Sequence, residues 1–145
     1  MITITRKLEF DAGHRIPDHK SQCKNLHGHR YVLHLTLTGK VIDAEKRSDS
    51  GMLMDFSEVK EIAQKNLVDS WDHAFLVYEK DEVVRNFLES IPNHKTVVFD
   101  CVTTAENLAR KIFETLAPIY AEKTDLRLIK VTLFETPNCW AEFSA

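Results

Sequence analysis

Residues 29–41 read H-R-Y-V-L-H-L-T-L-T-G-K-V, with Tyr31, Leu33, Leu35 and Leu37 at every second position and Thr36 and Thr38 among the residues between them. Side chains alternate across a strand, so this period of two makes one apolar face and one polar face. Upstream, Ile2, Ile4, Leu8 and Phe10 alternate with Thr3, Thr5, Lys7 and Glu9. That is a first strand of the same kind. Between the two, from Gly13 to Gly28, lies a connection too long for a turn, and connections of that length are usually functional or disordered.

Downstream, a charged turn runs from Asp43 to Gly51. Asp55-Phe-Ser-Glu58 has the form of a capping box and opens a helix carrying Val59, Ile62, Ala63 and Leu67. Trp71 to Leu76 is a short apolar stretch holding two polar groups. Asp81 to Leu88 reads as a minor helix and Thr96 to Phe99 as a short strand. Thr103-Thr-Ala-Glu106 is a second capping box, followed by the helical stripe Leu108, Ile112, Phe113 and Leu116. Leu126 to Glu135 is β-rich, and Asn138 to Phe143 returns as an edge strand. This order predicts an α+β layout, an antiparallel sheet of about four strands with helices on one face. Such a sheet leaves open edges, which favours oligomerisation.

A chain of 145 residues predicts one domain, residues 1–145, with a single core. A net charge of −3 offers no nucleic-acid or membrane surface, and no apolar run is long enough to span a bilayer. The alternating N-terminus lacks the apolar run of a signal peptide, so a cytoplasmic location is the default expectation. Cys23, Cys101 and Cys139 are odd in number and lack C-x-x-C spacing. A disulfide framework is therefore not expected, and at least one thiol is free.

The long connection holds the chemistry. His27 and His29 are two apart, so on an extended segment they point to one side. His14 shares the parity of Phe10 and Ala12 just beyond the first strand. If the two strands are neighbours, three imidazoles converge, and three neutral histidines with an open fourth position suit catalytic zinc (Zn2+). Two other readings stand beside this one. An H-x-H pair is often two exposed strand residues, and Cys23, four residues before His27, could complete a closed structural tetrahedron. His34 has the wrong parity for the cluster, His94 sits in a turn, and His19 beside Lys20 is ambiguous.

Cys23 lies near Lys20 and Lys24, and cationic neighbours favour a thiolate. Cys101 and Cys139 read as structural. Asp72-His73 offers a base with a partner, although adjacent residues on a strand point apart. Glu135 shares the parity of Ile129, Val131 and Leu133. It is either an inward carboxylate matched to the donor edge of an amino-heterocycle or a solvated strand end.

The motifs His14-Arg15, Cys23-x-x-x-His27-Gly28-His29, Gly51-Met-Leu-Met-Asp-Phe56, Asp72-His73, Thr104-Ala-Glu106-Asn107 and Phe134-Glu135-Thr136 run in this order along almost the whole chain. As a set they resemble the 6-pyruvoyl- and 6-carboxy-tetrahydropterin synthase superfamily. The resemblance implies the tunnelling fold, a four-stranded antiparallel sheet with two main helices on one face. It also implies trimers that close into a barrel, hexamers built as dimers of trimers, and active sites at subunit interfaces. By the same resemblance, His14, His27 and His29 match the zinc ligands and Cys23 the catalytic general base. Asp72 and His73 match the proton relay, Glu135 matches the anchor of the pterin amino edge, and Glu106 lies in a motif that lines the pterin pocket.

Members that make the pyruvoyl product typically have five residues between the cysteine and His-Gly-His. Three stand here, Lys24, Asn25 and Leu26, as in the carboxy-forming bacterial branch. The implied substrate is 7,8-dihydroneopterin triphosphate. The implied products are 6-carboxy-tetrahydropterin, acetaldehyde and triphosphate, on the path to queuosine and other 7-deazapurines. Arg15, His19, Lys20 and Lys24 are the candidate triphosphate contacts. The chain departs from shorter members by extra sequence from roughly Glu79 to Lys95.

Overall fold

The computed structural model describes residues 1–123 and 125–145. Six strands form one sheet: β1 (Thr3–His14), β2 (His27–Thr38), β3 (Ala74–Tyr78), β4 (Thr96–Phe99), β5 (Arg127–Thr136) and β6 (Cys139–Ser144), in the order β4-β3-β1-β2-β5-β6. Three helices accompany it: α1 (Phe56–Ala63), α2 (Glu82–Glu89) and α3 (Ala105–Ala121). α1 runs on through a π-helical stretch, Gln64–Val68, into a last turn, Asp69–Trp71.

The alternation in the first two strands does what its period requires. β1 and β2 pair antiparallel, with Leu8 opposite Leu33, Phe10 opposite Tyr31 and His14 opposite His27. Leu8, Phe10, Tyr31, Leu33, Leu35 and Leu37 are all buried. They share one core with Val59, Ala63 and Leu67 of the α1 segment and Leu108, Ile112 and Leu116 of α3. Both main helices thus lie on one sheet face. Phe10 stacks on Tyr31 at 5.2 Å between ring centroids and meets the edge of Trp71 at 6.0 Å. The buried Tyr120 hydroxyl donates to the Val59 carbonyl at 2.7 Å and ties α3 to α1.

Three expectations need correction. The sheet is mixed and six-stranded, not four-stranded and antiparallel, because β3 pairs parallel to β1 and β4 parallel to β3. β3 is covered on both faces. Ala74 and Leu76 join the main core, while Phe75 and Val77 pack against Val84 and Leu88 of α2. A strand buried on both sides shows a continuous apolar run and no alternation, which is why Trp71 to Leu76 did not read as a strand. The first strand also extends to His14, held by β2 on one side and β3 on the other, so the connecting loop spans only 15–26. Finally, the cap of α3 is Thr104, whose side chain accepts from the Asn107 amide at 3.3 Å, and not Thr103. The predicted cap of α1 is present: Asp55 accepts from the Ser57 amide at 2.8 Å.

Among the described residues, no helix is long and apolar enough to cross a membrane. All three cysteines are free, with Cys23 and Cys139 exposed and Cys101 half-buried.

Phe10→Ala removes a fully buried ring from the centre of the core and should cost about 3–5 kcal/mol in urea unfolding. Val83→Ala, on the exposed side of α2 at 77% exposure, should stay within about 0.5 kcal/mol of the parent.

Candidate functional site

Register assembles the three histidines. His14 is the last residue of β1 and faces His27, the first of β2, while His29 faces Ala12. Ring centroids lie 4.6 Å apart for His14–His27, 5.1 Å for His14–His29 and 4.9 Å for His27–His29. One nitrogen from each ring falls within 4.8 Å of the others. The backbone permits this closeness because Gly13 and Gly28 oppose each other between the histidines. A Cβ on Gly13 would come to 2.8 Å from the ring of Phe75.

Hydrogen bonding fixes which nitrogens are free. His14 Nδ1 lies 2.7 Å from the Thr103 carbonyl and His27 Nδ1 lies 2.7 Å from the Asn25 carbonyl. A carbonyl only accepts, so each Nδ1 carries the proton and each Nε2 keeps a lone pair. His14 is 1% exposed, and its Nε2 has no hydrogen-bond partner. Burial pushes the His14 pKa down to about 4, against the Thr103 bond and with help from the charges of His27 and His29. Burial, then His27, lowers that of His29 as well. Two of the three rings are therefore held neutral at neutral pH, and an oriented, partly desolvated set of imidazoles fits a divalent metal. Cys23 does not belong to the histidine group that converges within 4.8 Å. It lies in a short 3-10 turn, Gln22–Lys24, exposed on the loop.

Glu135 reaches the same end of the sheet, with Oε1 3.7 Å from His14 Nε2. β5 slips by one residue against β6 between Phe134 and Thr136, and a bulge of this kind re-aims a side chain. Glu135 thus faces the histidines and not solvent. Its pKa is raised, first by burial and then by Glu106, with His27 acting in opposition. Glu106 stands in the first turn of α3. The alternation of β2 marks Tyr31 only as a core residue, yet its buried hydroxyl has no partner among the described residues. Its pKa is raised by burial and by the charge of Glu135. No local signal in the sequence separates such a tyrosine from a core aromatic.

Asp72 and His73 stand elsewhere. Asp72 Oδ1 accepts from the Asp11 amide at 2.9 Å, and the His73 amide donates to the Asp11 carbonyl at 2.6 Å. The Asp11 side chain has the opposite parity to His14, and its carboxylate lies within 4.8 Å of the Asp72 and His73 side-chain ligand atoms, so the pair is held at the other face of the sheet. The two side chains do bond, His73 Nδ1 to Asp72 Oδ2 at 2.9 Å. They occupy a turn and not a strand, and His73 adopts a φ of 60°. Burial works against the Asp72 charge, but the Asp11 amide, His73 and Lys95 outweigh it and hold the pKa below the usual range.

Of the candidate anion contacts, Arg15 is committed: its guanidinium takes both oxygens of Asp81, at 2.7 and 2.6 Å. The His19 Nδ1 accepts from the Ser21 amide at 3.0 Å, and Lys20 and Lys24 are exposed. His34 packs against Phe134, with ring centroids 5.2 Å apart, and His94 bonds Thr96. Both therefore stay outside the cluster.

Comparison with known proteins agrees with this arrangement. Residues 3–145 match the family described as 6-pyruvoyl tetrahydropterin synthase. A 6-carboxy-5,6,7,8-tetrahydropterin synthase from Rickettsia bellii is 37% identical over 142 residues, covering 98% of this chain and 99% of that protein. One from Haemophilus influenzae is 32% identical over 146 residues, covering 99% of each. A 6-pyruvoyl tetrahydrobiopterin synthase from Dictyostelium discoideum is 30% identical over 147 residues, covering 94% and 91%. Among solved structures, an uncharacterized protein from Wolinella succinogenes shares the fold with a TM-score of 0.79 at 20% identity, covering 99% and 97%. The Caenorhabditis elegans 6-pyruvoyl tetrahydropterin synthase aligns with a TM-score of 0.67 at 27% identity, covering 99% and 95%. With a family match over nearly its full length and relatives of this identity, the chain belongs to the 6-pyruvoyl tetrahydropterin synthase family.

Proposed function

We propose that this protein is a zinc-dependent lyase that converts 7,8-dihydroneopterin triphosphate to 6-carboxy-5,6,7,8-tetrahydropterin, acetaldehyde and triphosphate. The observation that carries the reading is the convergence of His14, His27 and His29 beside Glu135, with the Nε2 of His14 buried and unpaired. The choice of product rests on the relatives named for the carboxy product and on the three-residue gap between Cys23 and His27. Queuosine and related 7-deazapurines are the proposed end of the pathway. The proposed setting is a cytoplasmic, single-domain chain of residues 1–145.

His14, His27 and His29 hold the zinc, which when bound acts as a Lewis acid on the side-chain hydroxyls of the substrate. Glu135 accepts hydrogen bonds from the amino edge of the pterin, and Glu106 lines the pocket beside it. Those donors favour its charged form against the burial that raises its pKa. Cys23 takes a proton as general base. His73, oriented by Asp72, moves a proton on the other side of the substrate. Since Asp72–His73 stands at the far face of its own sheet, a second subunit brings its pair to the triad. Open edges at β4 and β6 are consistent with trimers that close into a barrel and pair as a hexamer. Lys20, Lys24 and His19 remain for the triphosphate, while Arg15 is occupied by Asp81.

The second reading, triphosphate elimination to the 6-pyruvoyl product, is favoured by the Dictyostelium relative. Metal-loaded protein incubated with 7,8-dihydroneopterin triphosphate should release acetaldehyde. Accumulation of the pyruvoyl compound without acetaldehyde selects the second reading. Cys23→Ala should keep its zinc and lose about 10²-fold or more in turnover, whereas His27→Ala should lose both metal and turnover. If Cys23→Ala instead sheds metal, the thiol is a structural ligand and the lyase reading fails.

Mixing tests the shared site. Cys23→Ala and His73→Ala proteins, each inactive alone, should recover part of the activity when unfolded together and reassembled. Persistent inactivity of the mixed oligomer would argue for sites built within one chain.

The metal-free protein should also show an acid weakness. The folded pKa of His14, about 4, lies below its unfolded value of 6.5. The unfolded chain therefore binds the extra proton between these values, so stability is full above pH 6.5 and is lost as pH falls toward 4. Thermal melting of the metal-free protein should drop across that window, and His14→Gln should flatten the drop.

A further inference from the structure

Among the described residues, the segment from Glu79 to Lys95 supplies no member of the histidine triad. We propose that it is a bracket that positions the two proton-transfer groups, one arm holding the loop of Cys23 and the other holding the turn of Asp72–His73.

The first arm is Asp81. Its carboxylate is buried, 6% exposed, and takes Arg15 in a bidentate pair, Nε to Oδ2 at 2.7 Å and Nη2 to Oδ1 at 2.6 Å. Two parallel bonds fix the orientation of the guanidinium plane, which a single bond would not. Arg15 opens the loop 15–26, and its Nη1 donates to the Lys24 carbonyl at 3.4 Å. Next to it, the Ile16 amide donates to the Cys23 carbonyl at 2.7 Å. The start of the loop is thus tied across to Cys23 and its neighbour, and Asp81 anchors that tie from 66 residues away.

The second arm is Lys95. Its ammonium donates to the Asp69 carbonyl at 2.6 Å and to the Asp72 carbonyl at 2.5 Å. These are carbonyls at the C-terminal end of the α1 segment, where a cation is favoured. The Lys95 carbonyl in turn accepts from the Phe75 amide at 3.0 Å. The peptide immediately before His73 is therefore held from Lys95. Between the arms, Val84 and Leu88 of α2 pack on Val77 and Phe75, so both arms spring from one packed unit.

The inference rests on the proposed roles of Cys23 and Asp72–His73, and the test separates the two. Asp81→Asn, Arg15→Lys, Lys95→Met and Lys95→Arg are compared in the zinc-loaded protein. The measurements are hydrogen exchange resolved by peptide, alkylation of Cys23 by iodoacetamide, zinc content, kcat and KM. Asp81→Asn and Arg15→Lys should speed exchange severalfold across 15–26, change Cys23 alkylation severalfold, and leave 69–75 unaltered. Lys95→Met should do the reverse, and Lys95→Arg should restore the parent pattern. Each disruptive change should lower kcat on the order of tenfold or more with zinc content unaltered; KM should stay within about twofold for Lys95→Met and rise for Asp81→Asn and Arg15→Lys, whose loop carries His19, Lys20 and Lys24. Unchanged exchange in both segments would overturn the bracket. So would acceleration spread over the whole sheet, with kcat falling only as the folded fraction falls. If Cys23→Ala and His73→Ala turn over normally, the proposed roles fail, while the exchange patterns still decide whether the bracket exists.

Discussion

Everything at the site depends on the antiparallel register of β1 and β2. Opposing Phe10 to Tyr31, Ala12 to His29 and His14 to His27 puts aromatic, aliphatic and imidazole side chains on one face in that order. The face begins as hydrophobic core and ends as the cluster of three histidines without a break. A slip of one residue would turn all of these side chains to the opposite side. The burial of Phe10, Leu33 and Leu35 makes such a slip expensive, so the packing that stabilises the sheet also holds the histidines together. Folding energy and site geometry are two consequences of one pairing.

The same sheet explains why the candidate site residues divide between its faces. The triad and Glu135 share the helix-covered face, and the Thr103 carbonyl under α3 orients His14. Asp72 and His73 bond to the backbone of Asp11, whose side chain points the other way. One chain therefore carries the two sets of groups on opposite faces of its sheet.

Much of this could be read from the residues. Parity placed His14, His27 and His29 together, because a strand has only two faces and the apolar neighbours mark which is which; for Glu135 it left an inward and a solvated reading open. Helical stripes at Val59 to Leu67 and Leu108 to Leu116 were equally plain. What escaped has physical reasons. Ala74–Tyr78 is covered by the main core on one side and by α2 on the other, so its period vanished. Thr103 and Thr104 are the same residue type, and only the buried position of Thr103 leaves its neighbour to cap. The Asp72–His73 bond needs the φ of 60° at His73, which no strand rule allows for. Arg15 and Asp81 are paired across the fold, and nothing local announces an ion pair at that separation.

The unpaired atoms show what the fold leaves unfinished. A buried polar group without a partner costs about 1–3 kcal/mol. His14 Nε2 and the Tyr31 hydroxyl both stand in that condition, with ring centroids 6.1 Å apart. Glu135 adds a carboxyl whose charge burial disfavours. Other buried polar groups find partners inside the chain: the Tyr120 hydroxyl donates to Val59, and Asp81 accepts from Arg15. Nothing in the sequence forced these three groups to the same place, since a phenylalanine at 31 or a leucine at 135 would fill the space without an unpaired polar atom. Their unmet hydrogen-bonding capacity is matched by a cation for the imidazole and by donors for the carboxyl.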